Sequence, residues 1–220
     1  MSIIKEAFTL TEVLISLTII GVVAAITVPS LVNSYHDKMY RSALKKEFSV
    51  ISNAFNLAKK YEYNDYEEWS HKDSNVESIY ENYLYIKKYL YVLRDCKDKV
   101  GCWSQDLTKD ASGKTISNAT EKGIGNSLVT FTLNDGTNVC LDYYNQSDIK
   151  KSFGVEKNLL ENPLAIWVDV NGDKRPNRSG RDVFSFVLTS KGVVPSGANN
   201  HSANCRTTGF DCSAKYIYTY

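Results

Sequence analysis

The stretch "KEAFTLTEVLISLTIIGVVAAITVPS" (Lys5–Ser30) decides how the rest of the chain is read. It is almost wholly apolar, yet it carries one acid, Glu12, near its start and one proline, Pro29, near its end. From Phe8 to Val32 the run can cross about 30 Å of hydrocarbon at roughly 1.5 Å per helical residue. A carboxylate at the centre of such a helix costs about 2.5–3.5 kcal/mol on insertion scales. A secretory signal could be cut at Val22-Val23-Ala24, but a signal core spans only about 7–15 residues and this run goes on past Ala24. A plain membrane anchor accounts for the length and leaves Glu12 and Pro29 unexplained. Snorkelling of Glu12 to the headgroups is the simplest alternative for the acid alone.

Composition sets the frame for the remainder. The chain has 220 residues, 26 Lys+Arg against 25 Asp+Glu, and a formal net charge of +1. Such a balance leaves no electrostatic footprint for nucleic acid, so none is expected as a partner. Beyond the apolar segment the sequence is polar and rich in Tyr, with enough length to bury the core of one soluble domain.

The run "EAFTLTEVLISLTIIGVVAAITVP" resembles the N-terminus of type IV prepilins and of the pseudopilins of type II secretion. In that family a short leader ends before a Phe, a Glu follows four residues later, and an unbroken apolar helix continues to a Pro. Phe8, Glu12 and Pro29 stand at those places, and Gly21 stands where the family often has a helix-weakening glycine. The family usually has Gly before the cut, and here the residue is Ala7. The resemblance implies cleavage between Ala7 and Phe8, N-methylation of the new Phe8 amine, and pairing of Glu12 with the ammonium of a neighbouring subunit. A buried charge is tolerated only when paired, so such a contact would fix the axial register.

The organisation implied is a leader over 1–7, a transmembrane and filament-core helix over 8–32, and an exported pilin-like domain over 33–220. Implied partners are copies of the same chain, minor pilins or pseudopilins, prepilin peptidase, an inner-membrane assembly platform and lipid. The implied location is the bacterial inner membrane in a single pass, then the filament. Lys38, Arg41, Lys45 and Lys46 follow the apolar run, and the positive-inside rule alone would keep the large domain in the cytoplasm. Long domains translocate largely regardless of charge, so export is the expected topology. A single-pass anchored binding protein is the competing class.

Apolar positions continue past Pro29. Leu44, Phe48, Ile51, Phe55 and Ala58 share one helical face, which predicts an amphipathic helix to about Lys60. Pro29 is expected to bend it. Residues 61–75 read as loop, and 76–93 as a second helix with Leu90 and Leu93 on its stripe. Residues 104–127 read as loop. "SLVTFTLNDGTNVCLDYY" predicts a hairpin turning at Asp135-Gly136. "LAIWVDV" and "DVFSFVL" read as further strands, "KGVVPSG" as a short edge strand, and "AKYIYTY" as a final strand or clamped end. Helices first and antiparallel strands after predict an α+β domain, a long helix on a small antiparallel sheet.

Five cysteines are present. Cys96 with Cys102 and Cys205 with Cys212 are close enough in sequence to close small disulfide loops in an oxidising compartment, with reduced cytosolic thiols as the alternative. Cys140 is the odd one, on a strand-like run. No pair has zinc-ligand spacing. In "DVNGDKRPNRSGRD", Asp169, Asn171, Asp173 and Asp182 offer oxygens suited to calcium, and similar loops bind calcium in some pseudopilins. Lys174 stands where an EF-hand needs Gly and Gly180 where it needs its bidentate acid, and a plain hairpin turn is the alternative. Apart from calcium no cofactor is expected. "SGKT" (residues 112–115) lacks the upstream P-loop glycine, Thr108 standing in its place, and no hydrolase or zincin motif occurs, so an enzyme is not expected.

Overall fold

The computed structural model describes residues 9–62, 65–70, 75–199 and 204–218. The chain divides into two compact units, Met1–Met39 and Tyr40–Tyr220. Helix α1 (Leu10–Tyr61) contributes to both and runs unbroken through Pro29. Its end at Tyr61 matches the reach of the apolar stripe.

In the first unit α1 is apolar all round and its large side chains are exposed, Ile26 by 70% and Leu31 by 73%. A helix of this kind is stable only when lipid or other helices cover it. α1 is the one helix among the described residues long and apolar enough to cross a membrane. Three of its hydroxyls are satisfied within the helix. Ser16, Thr18 and Thr27 donate to the carbonyls of Glu12, Leu14 and Val23, one turn back, at 2.7, 2.8 and 2.9 Å.

The second unit is built on a six-stranded antiparallel sheet. Its strands are β1 (Val92–Lys97), β4 (Val129–Leu133), β5 (Asn138–Tyr143), β6 (Leu164–Asp169), β7 (Val183–Thr189) and β8 (Gly192–Pro195), in that spatial order. β2 (Ala119–Thr120) and β3 (Gly123–Ile124) form a separate small pair. Alternation along each strand sends side chains to two different layers. Leu164, Ile166 and Val168 of β6 pack with Leu44, Ile51 and Phe55 of α1 and with Ile79 and Tyr83 of α3 (Val76–Lys87). Ala165 and Trp167 pack on the opposite side, with Phe153, Trp103 and Ile124. Both faces of the sheet are therefore covered, which is why β4 to β7 are buried at every position.

That second layer comes from connections. Asp142, 3% exposed, reaches out of β5 and accepts backbone N–H bonds from Asn126 (2.8 Å) and Ser127 (3.3 Å). Gly125 sits there with φ +140, and a Cβ on it would lie 2.0 Å from Asp142 Oδ2. Only glycine permits that approach.

Four expectations need correction. Residues 104–127 are not all loop, since β2 and β3 pair within them through Ala119 with Ile124 and Thr120 with Gly123. The second helix stops at Lys87, and Leu93 lies on β1, a strand paired with β4. A spacing of three between Leu90 and Leu93 suits either element, and pairing with β4 decides it. The tail does not add a strand: residues Ser213–Tyr218 form a last short helix, with Tyr216 edge-on to Phe184 at 6.0 Å and under Arg41 at 4.4 Å. Residues 61–75 are not all loop, since α2 (Tyr66–Ser70) buries Tyr66 and Trp69 on Phe55.

Candidate functional site

The N-terminal site begins with the local chemistry of a helix start, where the first backbone N–H groups lack intrahelical acceptors. Ala7 and Phe8 lie outside the described residues. Thr9 and Glu12 close a reciprocal cap. The Thr9 N–H and hydroxyl donate to Glu12 Oε2 at 2.8 and 2.7 Å, and the Glu12 N–H donates back to Thr9 Oγ1 at 3.3 Å. This is the Thr-x-x-Glu capping box. The signal stands in the sequence as Thr9-Leu10-Thr11-Glu12, an acid three residues after a hydroxyl residue. Both Thr9 donors fall on the same oxygen, Oε2. Gly21 has nothing within 4 Å of an added Cβ, so no intrachain contact requires glycine there.

Both local cysteine pairs are disulfides, Cys96–Cys102 and Cys205–Cys212. Cys140 is a buried free thiol on β5 whose titration burial pushes far up, so it is inert rather than reactive. Cys205, Asp211 and Cys212 lie at ligand spacing, but their two sulfurs are bonded to each other and do not offer thiolates to a metal.

The β6–β7 connection places the four expected oxygen donors unequally. Asp169 and Asp182 are fully buried side by side. Asp182 accepts the backbone N–H groups of Asn177 (2.9 Å) and Arg178 (2.7 Å). Burial and the neighbouring charge of Asp182 hold Asp169 well above the usual carboxylate range. Its Oδ2, and Oδ1 of Asn171, are buried without a hydrogen-bond partner. Asp173 turns elsewhere, accepting from Asn138 Nδ2 at 3.0 Å and facing Arg94 at 3.4 Å. Three of the four residues are thus gathered and the fourth is not.

A surface cleft of about 640 Å³ lies between the first disulfide loop and residues 119–128, with Asp98, Glu121 and Lys122 on its wall. Glu121 and Lys122 are exposed and Asp98 is half-buried.

An apolar, acid-bearing N-terminal helix that continues onto an antiparallel sheet is a pilin-like α+β organisation. Residues 5–28 match the family model of the prokaryotic N-terminal methylation motif, the cleavage and methylation segment of type IV pilins and pseudopilins. The motif supports a type IV pilin- or pseudopilin-like precursor and points to a structural protein rather than an enzyme. With its single apolar helix the chain fits an inner-membrane anchored pilin. No curated protein and no solved structure matches the chain.

Proposed function

We propose that this chain is a subunit of a type IV pilus or a type II secretion pseudopilus. Prepilin peptidase cuts between Ala7 and Phe8, removing a leader over 1–7. The Phe8 amine is methylated, and the helix over 8–32 then leaves the inner membrane for a filament of like subunits and minor pilins. The domain over 33–220 stays on the exported side. The observation that carries this reading is a methylation motif on an apolar helix whose large side chains are exposed. Glu12, capped by Thr9 on one oxygen, offers the other to the ammonium of a neighbour. Gly21 and Pro29 tune the helix between its membrane and filament states. Mass spectrometry of the mature N-terminus, with the chain coexpressed with prepilin peptidase, tests the cut. The expected species begins at methylated Phe8. A chain beginning at Met1, or cut after Ala24, would sink the reading.

A calcium ion in the β6–β7 loop is a second reading. It is favoured by the buried, unpartnered oxygens of Asp169 and Asn171 beside Asp182. Those residues would hold the ion through oxygen, the ligand type hard cations prefer. At a hundredfold excess over Kd, binding is expected to add about 2.7 kcal/mol of stability. Calorimetric titration with calcium and a melting curve read this directly, with Asp169→Asn expected to abolish both signals. No heat and no rise in Tm would dispose of the site.

A further inference from the structure

Glu47 is the one charged residue on the buried stripe of α1, where Leu44, Ile51 and Ala54 otherwise set the pattern. It is 1% exposed, and neither carboxylate oxygen accepts a hydrogen bond. Two charged groups face it. Lys46, from its own helix, places Nζ 3.1 Å from Oε1 and also pairs with Asp135. Asp135, from the turn between β4 and β5, shares that Lys46 ammonium with Glu47, which brings the two carboxyl groups to one small site. Asp135 is itself held in place, accepting the Thr137 N–H at 3.0 Å. Two carboxyl groups so placed cannot both ionise without strong repulsion, and the Lys46 ammonium, 57% exposed and shared between them, offsets one charge only.

We propose that one proton shared by Glu47 and Asp135 latches α1 to the β4–β5 turn, and that loss of this proton loosens the contact. In the closed state Glu47 is a carboxylic acid donating to the Asp135 carboxylate, and Lys46 balances the remaining charge. Removing the proton leaves two carboxylates facing each other in a buried site. Burial and the neighbouring Asp135 push Glu47 up to about 7, while Asp135, beside Glu47 and Lys46, is drawn down to about 2. Because the folded chain holds this proton more tightly than the unfolded one, the latch contributes fully below the ordinary glutamate range. It weakens as the pH rises toward 7 and is spent above that.

The test uses the full chain in detergent micelles. Carboxyl-carbon NMR of Glu47 is expected to titrate near pH 7, and hydrogen exchange at the Gly136 and Thr137 amides to speed up over the same range. Tm should fall by roughly 5 °C or more between pH 5 and pH 7.5. Asp142, which burial pushes up to about 6, and Asp169 slope the same way. The difference between wild type and Glu47→Gln therefore isolates the latch. Glu47→Gln keeps the shape and a donor, and its Tm should be flatter with pH. Asp135→Asn should bring the Glu47 midpoint back toward the usual carboxylate range. A Glu47 midpoint between 4 and 5 in the wild type, or equal Tm slopes for wild type and Glu47→Gln, would overturn the proposal.

Discussion

Glu12→Ala is expected to insert into the membrane as well as the wild type and to disappear from the filament. Insertion follows the apolar run, and deleting a carboxylate can only favour it, by about 2.5–3.5 kcal/mol at a helix centre. Incorporation should move the opposite way. With Ala at this place, a neighbour's ammonium would enter an apolar core without a partner, and breaking a buried pair by removing one member costs about 3–5 kcal/mol. That corresponds to a loss on the order of a hundredfold or more per subunit contact, enough to leave no filament signal. The same substitution removes the Thr9–Glu12 cap, which is worth about 0.5–2 kcal/mol. Thr9→Ala separates the two effects: it removes the cap's hydroxyl and leaves the Glu12 carboxylate in place. Fractionated cells give membrane content, and sheared-surface fractions give filament content. Equal filament content for Glu12→Ala and wild type would remove Glu12 from assembly. Equal loss in Thr9→Ala would assign the defect to the cap.

The parts of the fold written in periodicity were legible, and the parts written in pairing were not. The stripe from Leu44 to Ala58 foretold α1 to within a residue of Tyr61, because burial on one side leaves a helical imprint. Asp135-Gly136 foretold the β4–β5 turn, where Gly136 has φ +93. β1 was obscured because Leu90 and Leu93 satisfy a helical spacing, while the edge it occupies is fixed by Arg94 and Asp95 pairing with Thr132 and Phe131. The tail's alternating tyrosines suggested a strand, yet the Cys205–Cys212 loop delivers the chain to Ser213 beside β8. There the Ala214 N–H finds the Ser196 carbonyl at 2.9 Å and a helix begins.

The site was legible where a motif is local. The methylation motif occupies residues 5–28, one short segment, so its spacing carries the information. The β6–β7 loop was half legible: its acids were visible, but the turn of Asp173 toward Asn138 depends on a strand thirty-odd positions away. Glu47 was invisible because a single acid among apolar stripe positions reads as a surface residue. Only its placement against Asp135 reveals burial.

Phe55→Ala is expected to be the most damaging single truncation in the second unit. Phe55 is fully buried at the junction of α1, α2 and the sheet, with its ring centroid 5.6 Å from Trp69 and 6.3 Å from Tyr66. Removing a buried phenyl loses its transfer energy and leaves a cavity, about 3–5 kcal/mol together. The loss should also spread. α2 has five residues, too few to be helical alone, and it stands on Phe55 and on the Tyr66 hydroxyl bond to Asn56 at 3.3 Å. The Trp69 carbonyl in turn accepts the Tyr143 hydroxyl at 2.9 Å, which carries the disturbance to β5. The expected result is a Tm lower by roughly 10 °C and a red-shifted tryptophan emission as Trp69 meets water. Leu57→Ala, on the same helix but 39% exposed, should stay within about 0.5 kcal/mol of wild type. Equal effects of the two truncations would mean that α1 is held by its own helicity rather than by the Phe55 contact.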